Sequence, residues 1–261
     1  MRSVQSTSRP PLRLVIVDDE PPARDLLRQY LDGREEYEVA ALCKDGFEAV
    51  KAVEEHRPQV LLLDIQMPKL DGFEVIELLD EPPLLVFTTA YDEYALKAFE
   101  VAAVDYLLKP FAAERLFQAL DRARARLELE SGEVGASSRR EEIDRLRRAH
   151  RRSQAPLARV LVREGASVRV LPRNEIDYLE ARNDNVAIHV GGRVYRKKQP
   201  LGELEELLGD GFVRIHRGYL VQIDRLRRIE PYAKDSRVAF LADGTRLPVS
   251  RTGYDRLKGL L

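Results

Sequence analysis

The sequence has almost no cysteine, the residue that cross-links small or exported proteins. Its 261 residues include one cysteine, and they also include only two methionines and no tryptophan. Because Cys43 stands alone, no intrachain disulfide can form, and a zinc site would have to use carboxylates and histidines. No two of the four histidines lie at ligand spacing, and we expect no chemistry from His150 or Cys43. Disulfide-rich scaffolds and cysteine-based zinc modules are therefore excluded.

Long apolar runs are also missing. No stretch approaches the ~18 consecutive apolar residues of a membrane helix, and residues 1–11 lack the apolar core of a secretory signal. We therefore expect no membrane partner and a cytoplasmic location. The composition, 44% hydrophobic and 33% charged, is typical of a globular protein, and this length suits about two domains of roughly 100 to 200 residues.

The net charge of −1 is the sum of two opposed halves. Residues 12–127 contain 14 Lys and Arg against 24 Asp and Glu, a net charge of −10. Residues 156–261 contain 20 against 14, a net charge of +6. This asymmetry indicates a carboxyl-terminal half that binds an anionic partner and an acidic amino-terminal half with a different task.

Short apolar runs alternate with helical patterns in the amino-terminal half. Five runs predict buried parallel strands, at 12–17, 37–42, 60–63, 84–87 and 104–108. Helical spacing puts one set of apolar residues on a single face, Leu26, Leu27, Tyr30 and Leu31, and a later set on another, Leu116, Leu120, Ala123 and Leu127. The alternation predicts an open, doubly wound α/β sheet with strand order 2-1-3-4-5.

The texture of the sequence changes after residue 127. Residues 128–156 contain a small-residue break and a highly charged stretch, and they predict a linker. Residues 157–261 alternate apolar and polar positions, with hairpin signals at Gly191-Gly192 and Asp243-Gly244. This half is predicted to be mainly β, with short helices at 201–208 and 251–261.

Polar side chains follow the predicted strands of the acidic half. Asp18 and Asp19 follow the first strand, and the third, fourth and fifth lead to Asp64, Thr89 and Lys109. The carboxyl ends of parallel strands form the ligand crevice, so the aspartates should converge. Converging carboxylates resist ionisation unless a cation such as Mg²⁺ holds them. A nucleophilic carboxylate with a hydroxyl and an ammonium beside it predicts a phosphoryl-accepting site.

Each of these signals is common in loops when it occurs alone. Together they are much less expected by chance, and the spacing is regular, with 45 residues from Asp19 to Asp64 and 45 from Asp64 to Lys109. The motifs are IVDDE ending at Glu20, LLDIQMP ending at Pro68, FTTA ending at Ala90 and DYLLKP ending at Pro110. On these motifs, residues 12–127 resemble the receiver domain of two-component response regulators.

That resemblance implies a flavodoxin-like fold and a set of residue roles. Asp64 is then the phosphorylated aspartate, and Lys109 contacts the phosphoryl group. Mg²⁺ is held by Asp64, the main-chain carbonyl of Gln66 and the acidic pair Asp18 and Asp19. Thr89 and Tyr106 form the switch pair. A sensor histidine kinase is the implied partner.

The basic half has no helix-turn-helix pattern, so any DNA reading must use loops and strand ends. Arg, Asn and His donors cluster in 182–185, 212–223 and 248–252. One such cluster alone is more often a solvated surface. Through segments such as FVRIHRGYLV and DGTRLPVSR, however, residues 157–261 resemble the LytTR DNA-binding family.

This second resemblance implies a mainly β domain whose loops enter successive major grooves of paired direct repeats in double-stranded DNA. The positions that match base-contacting sites are Asn183, Asp184, Asn185, His216, Arg217, Arg251 and Thr252. Two of them depart from the family pattern, since Asn185 stands where an aromatic is usual and Thr252 where a second arginine is common.

The two halves together predict a phosphorylation-controlled transcriptional regulator. Phosphoryl transfer to Asp64 is expected to promote homodimerisation and binding of paired sites, with no catalysis beyond slow autodephosphorylation. One alternative is an aspartate-nucleophile phosphatase, although such enzymes carry a second acid where Gln66 stands. The other is a module whose basic half binds RNA or a protein.

Overall fold

The protein forms two compact units, Met1–Ser153 and Gln154–Leu261, in a computed structural model. The structure describes residues 9–90, 103–129, 143, 157–165, 167–183, 185–233 and 236–260. Most of the predicted linker lies outside these residues. Across the described ranges, no helix has both the length and the apolar character needed to cross a membrane.

The first unit is a parallel sheet with helices. Its strands are β1 (Leu12–Val17), β2 (Tyr37–Cys43), β3 (Val60–Asp64), β4 (Leu84–Thr89) and β5 (Ala103–Leu108). The described helices are α1 (Pro21–Leu31), α2 (Gly46–His56), α3 (Gly72–Leu78) and α4 (Ala113–Leu129). The strand order β2-β1-β3-β4-β5 confirms the predicted doubly wound, flavodoxin-like sheet. Every residue of β3 and β4 is buried, which explains their unbroken apolar runs.

Local signals set where the helices begin. Pro21 stands in the first turn of α1, where its missing N–H costs nothing. Asp45 caps α2, and Asp71 forms a reciprocal capping box with Glu74 at the start of α3. Leu26, which the helical spacing groups on one face with Leu27, is 40% exposed, whereas Leu27 is buried.

The second unit is mainly β, as predicted. Its strands are β6 (Arg159–Glu164), β7 (Ser167–Pro172), β8 (Ile176–Arg182), β9 (Asn185–Val190), β10 (Arg193–Lys197), β11 (Phe212–His216), β12 (Tyr219–Gln222), β13 (Leu226–Ala233), β14 (Ser236–Leu241) and β15 (Arg246–Val249). Its described helices are α5 (Leu201–Leu208) and α6 (Arg251–Lys258). The sheets have the orders β10-β9-β8-β12-β11, β13-β14-β15 and β6-β7.

The predicted hairpins are present, and glycine makes them possible. Gly191 and Gly192 have φ of 53° and 79° between β9 and β10, and Gly244 has φ of 87° between β14 and β15. One core joins α5 to the five-stranded sheet through residues such as Leu204. A second core joins α6 to β11, β14 and β15 through residues such as Leu257. The helix predicted to run to residue 261 ends at Lys258.

Candidate functional site

The three aspartates converge at the carboxyl edge of the parallel sheet. Asp18 and Asp19 follow β1, and Asp64 ends the neighbouring strand β3. Each offers a carboxylate oxygen, and these oxygens lie within 4.8 Å of one another. Asp18 is fully buried and Asp64 is 5% exposed. The sheet therefore gathers carboxylates that are 45 residues apart in the chain, as its strand order predicts.

Lys109, which follows β5, reaches into this cluster. Its Nζ lies 2.6 Å from Oδ2 of Asp18 and 2.8 Å from Oδ2 of Asp64. Burial opposes the charged form of Lys109, but its hydrogen bonds to both aspartates outweigh burial and raise its pKa. Burial raises the pKa of Asp64, and the nearby ammonium offsets only part of that effect.

Within the described part of the chain, negative charge exceeds positive charge in this cluster. One ammonium faces three carboxylates, two of them buried. Carboxylate oxygens beside a main-chain carbonyl are the hard ligands that Mg²⁺ prefers. The donor set of this edge therefore fits a divalent cation.

The loop after β3 is held in place by main-chain contacts. The amide of Gln66 donates to Oδ1 of Asp64 at 3.2 Å, so the Gln66 main chain lies beside that carboxylate. Gly72 donates its N–H to the carbonyl of Ile65 at 2.9 Å. A Cβ on Gly72 would stand 2.6 Å from the carbonyl oxygen of Asp64, so only glycine fits there.

Thr89 is the last residue of β4, and Tyr106 lies on the neighbouring strand β5, two residues before the end of that strand. Thr89 is fully buried, and Tyr106 is buried to 7% exposure. The backbone amide of Lys109 donates to the carbonyl of Thr89 at 2.7 Å, which joins the end of β4 to the lysine. Thr89 and Lys109 therefore lie at the same edge as the aspartates, whereas Tyr106 lies within β5.

An ion-pair cluster beneath Tyr106 was missed by sequence reasoning. Asp105 is 5% exposed and accepts from Nη1 and Nη2 of Arg115 at 2.7 and 2.6 Å and from Arg122 at 2.7 Å. Arg115 also donates to the carbonyl of Tyr106 at 3.0 Å. Burial alone would raise the pKa of Asp105, but these bonds hold it below its ordinary value. The signal was a charged residue inside an apolar strand.

The predicted DNA-contacting residues lie at one end of the second unit. Asn183 and Asn185 stand where β8 meets β9, His216 and Arg217 where β11 meets β12, and Arg251 and Thr252 begin α6. Asp184 lies outside the described residues. Backbone bonds join these loops, because Ala181 donates to the carbonyl of Gly218 and Ser250 to that of Ile215, each at 2.9 Å.

The turn at His216 is fixed by a neighbouring arginine. Arg214 Nε donates to the carbonyl of His216 at 3.1 Å, and its guanidinium also bonds the carbonyl of Arg217. A further contact, to the carboxylate of Glu205 at 3.1 Å, completes its bonding. Arg214, which the pattern grouped with the polar donors, therefore supports the turn from inside.

His216 is held in one tautomer. Its Nδ1 accepts from the amide of Gly218 at 3.2 Å. Burial and the neighbouring Arg217 and Arg214 charges lower its pKa, which favours the neutral ring. A neutral ring that accepts at Nδ1 carries its proton on Nε2, which leaves that nitrogen as a donor.

The amino terminus of α6 fits closely against β11. Gly253 approaches so near that a Cβ there would stand 1.9 Å from the carbonyl oxygen of Ile215. Ser250 caps the helix by accepting from the amide of Gly253 at 3.1 Å. An open cleft of about 390 Å³ lies beside this junction. It is lined by Glu205, Arg214, His216, Arg217, Ser250, Thr252 and Arg256.

Comparison with known proteins gives a consistent result. The response regulator receiver domain matches residues 14–121, and the LytTr DNA-binding domain matches residues 166–261. The chain is 31% identical over 258 residues to the sensory transduction protein LytT of Bacillus anthracis, covering 96% of this chain and 99% of that protein. It is 34% identical over 251 residues to the transcriptional regulatory protein BtsR of Escherichia coli (strain K12), covering 95% and 98%.

Among solved structures, the REC domain of AraT, a response regulator from Geobacillus stearothermophilus, is 34% identical and has a TM-score of 0.43. It matches 46% of this chain and 98% of that one. Both curated relatives are covered almost end to end by a chain that matches both domain families. The protein therefore belongs to the response regulators that join a receiver domain to a LytTR DNA-binding domain, and it is a phosphorylation-dependent regulator of transcription.

Proposed function

We propose that a phosphoryl group on Asp64 switches this protein to a homodimer that binds paired direct repeats in double-stranded DNA. The observation that carries the proposal is the buried cluster in which Lys109 bridges Asp18 and Asp64. In this proposal the receiver domain spans 12–127, a charged linker 128–156, and the DNA-binding domain 157–261.

Asp64 is the proposed nucleophile. Its carboxylate oxygen attacks the phosphorus of a sensor histidine kinase's phosphohistidine, forming an acyl phosphate while the histidine nitrogen leaves with the bonding electrons. Lys109 neutralises a phosphoryl oxygen, and its raised pKa keeps it charged. Asp18, Asp19, Asp64 and the main-chain carbonyl of Gln66 would hold Mg²⁺, which supplies further neutralisation of phosphoryl charge. Slow hydrolysis of the acyl phosphate would reset the switch.

Thr89 and Tyr106 are the proposed switch pair. The Thr89 hydroxyl would bond the phosphoryl group, and Tyr106 would follow it inward. Contact between Arg115 and the carbonyl of Tyr106 supports the idea that strand β5 and helix α4 respond together. The homodimer face would use the last helix-strand-helix units, part of which lies beyond the described residues.

The proposed reading surface comprises Asn183, Asp184, Asn185, His216, Arg217, Arg251 and Thr252. Support comes from the net charge of +6 for residues 156–261 and from the backbone bonds that gather these loops at one end. Asn and Arg side chains can bond purine edges in the major groove with two hydrogen bonds each. His216 would donate through Nε2.

The protein is proposed to act in the cytoplasm as a regulator. A receiver matched with a DNA-binding domain supports regulation over the phosphatase alternative, and Gln66 occupies the position of that enzyme class's second acid.

Intact-mass measurement tests the phosphoacceptor. With Mg²⁺ and acetyl phosphate, the wild type should gain one phosphoryl group and Asp64→Asn should gain none. Asp32→Asn is the matched control, because it makes the same change at an exposed carboxylate and should gain one. Phosphoryl uptake by Asp64→Asn at the wild-type level would overturn the assignment.

Sedimentation velocity tests the dimer. The wild type with acetyl phosphate should shift to twice the monomer mass, and Asp64→Asn should not.

Selection from a random pool tests DNA binding. Enrichment of a randomised duplex pool on the phosphorylated full-length protein should recover two copies of one motif in the same orientation. A pool that stays random, or stronger binding to duplex RNA, would refute DNA reading.

A further inference from the structure

The second unit carries a small basic cleft beside the proposed reading loops. It has a volume of about 230 Å³ and is lined by Arg182, Asn183, Asn185, Ala187 and Arg196. We name it the Arg182–Arg196 cleft. Its described lining combines two guanidinium groups with two amides.

Strand register explains how the cleft forms. Arg196 on β10 stands opposite Ala187 on β9, which stands opposite Glu180 on β8. Directly opposed residues project from the same face of a sheet, and Arg182, two residues beyond Glu180, projects there too. Ala187 is the floor, 1% exposed, between the two arginines. A larger side chain at that position would fill the space.

Arg182 has a carboxylate partner. Nε and Nη2 of Arg182 lie 2.9 and 2.8 Å from Oε2 of Glu180. Among the residues that the structure describes, none forms an ion pair with Arg196. A pair of guanidinium groups with unused donors is suited to a planar or tetrahedral oxyanion.

Glu180 is fixed independently of Arg182. The Tyr219 hydroxyl donates to its Oε1 at 3.1 Å, and its side chain is 20% exposed. The side chain of Arg182 is 55% exposed, and ion pairs at such surfaces contribute little to stability. Arg182 can therefore release the Glu180 carboxylate, which stays in place, and bind another anion with little loss of stability.

We propose that the Arg182–Arg196 cleft binds one phosphodiester of the DNA backbone, and that Arg182 exchanges Glu180 for that phosphate when DNA binds. Glu180 then acts as an internal competitor that limits affinity without affecting sequence choice. The inference rests on the proposed DNA reading, because the cleft adjoins Asn183 and Asn185. It adds a backbone contact to the predicted base contacts.

Salt dependence of binding by the full-length protein tests the cleft. The probes are a 30-base-pair duplex of random sequence and a duplex recovered by the selection above. Each phosphate contact contributes about 0.9 to the slope of log affinity against log salt. Arg196→Ala should weaken both duplexes equally and lower that slope by about 0.9. When the salt concentration rises fourfold, from about 50 to about 200 mM, the affinity of the wild type should fall by a factor about 3.5 times as large as the factor for the variant.

Arg193→Ala is the matched control for the arginine. Arg193 is exposed on the same strand but opposes Val190, and alternation places it on the other face of the sheet. Its slope should equal that of the wild type. An unchanged slope in Arg196→Ala, or an equal fall in Arg193→Ala, would overturn the cleft. A change in the ratio between the two duplexes would show base contact and would also overturn it.

Glu180→Gln tests the exchange. The amide keeps an oxygen that can accept from Tyr219 but removes the charge that competes for Arg182, so both duplexes should bind several-fold more tightly. Glu164→Gln is the control, because Glu164 pairs with Arg169 at 3.2 Å in the separate β6–β7 sheet and its loss changes net charge equally. Equal gains in both variants, or no gain in Glu180→Gln, would refute the exchange.

The two levels of the proposal fail differently. If the wild type does not prefer the selected duplex, DNA reading itself is refuted. If the wild type keeps that preference while Arg196→Ala keeps the wild-type slope, only the cleft is refuted.

Discussion

Adding one methyl group at Gly253 should separate helix α6 from strand β11. A Cβ there would stand 1.9, 2.4 and 2.7 Å from the carbonyl oxygen, carbonyl carbon and Cα of Ile215. These are backbone atoms, so no side-chain rotation can relieve the clash. Gly253→Ala must therefore move the helix.

The cost follows from the contacts that the movement breaks. Overpacking typically costs about 1 to 3 kcal/mol. The displaced helix also loses the bond from Ser250 N–H to the carbonyl of Ile215, 2.9 Å long, which is worth about 1 kcal/mol. We expect local stability to fall by about 3 kcal/mol, and the opening equilibrium of α6 to rise about 140-fold.

Gly202→Ala is the matched control. Gly202 lies in the first turn of α5, a Cβ added there would meet no atom within 4 Å, and alanine is the better helix former by up to about 1 kcal/mol. Amide hydrogen exchange by mass spectrometry, on peptides covering α6, β11 and α5, reports each opening separately. Peptides of β1 in the receiver provide an internal reference. Exchange of α6 in Gly253→Ala at the wild-type rate would refute the reasoning.

Three further outcomes are expected. Asp105→Asn should lower the unfolding free energy at pH 7 by about 1 to 3 kcal/mol, because it unpairs two arginines. The lowered pKa of Asp105 adds stability above about pH 3.9, and this stability is lost as the pH falls through the pKa of Asp105 in the folded protein. The unfolding free energy of the variant, measured by urea titration, should therefore fall less on acidification than that of the wild type. Asn183→Gly should keep the backbone, whose φ is 52°, yet lose about 1 to 3 kcal/mol of discrimination in duplex competition. Gly72→Ala should slow phosphoryl uptake by intact mass, because its Cβ would displace the carbonyl of Asp64.

Much of the receiver could be predicted from sequence because its signals are local. An unbroken apolar run such as 60–63 can only be buried on both faces, and a polar residue at its end must lie at the sheet edge. Strand order then brings Asp18 to Asp64. The hairpin at Gly191-Gly192 was equally readable, because positive φ at both positions suits glycine.

Contacts between distant elements were not readable. The pairing of Asp105 with Arg115 and Arg122 depends on how α4 is rotated on β5, which periodicity fixes only to about one face. The exposed position of Leu26 has the same cause. Arg214 bonds to backbone carbonyls, and Arg182 bonds to Glu180. The residue type alone does not tell whether an arginine stabilises the fold in this way or contacts DNA.

The two backbone bonds that join the reading loops also set a fixed spacing. Ala181 to Gly218 and Ser250 to Ile215 tie together loops that are far apart in the chain, and Gly253 leaves no clearance between two of them. Loops bound in this way form one rigid unit, in which the base-contacting side chains keep fixed distances from one another. A base pair inserted within the contacted segment moves the bases beyond it by about 3.4 Å along the duplex. Such a site would lose every contact on one side of the insertion, whereas a substituted base would lose only its own.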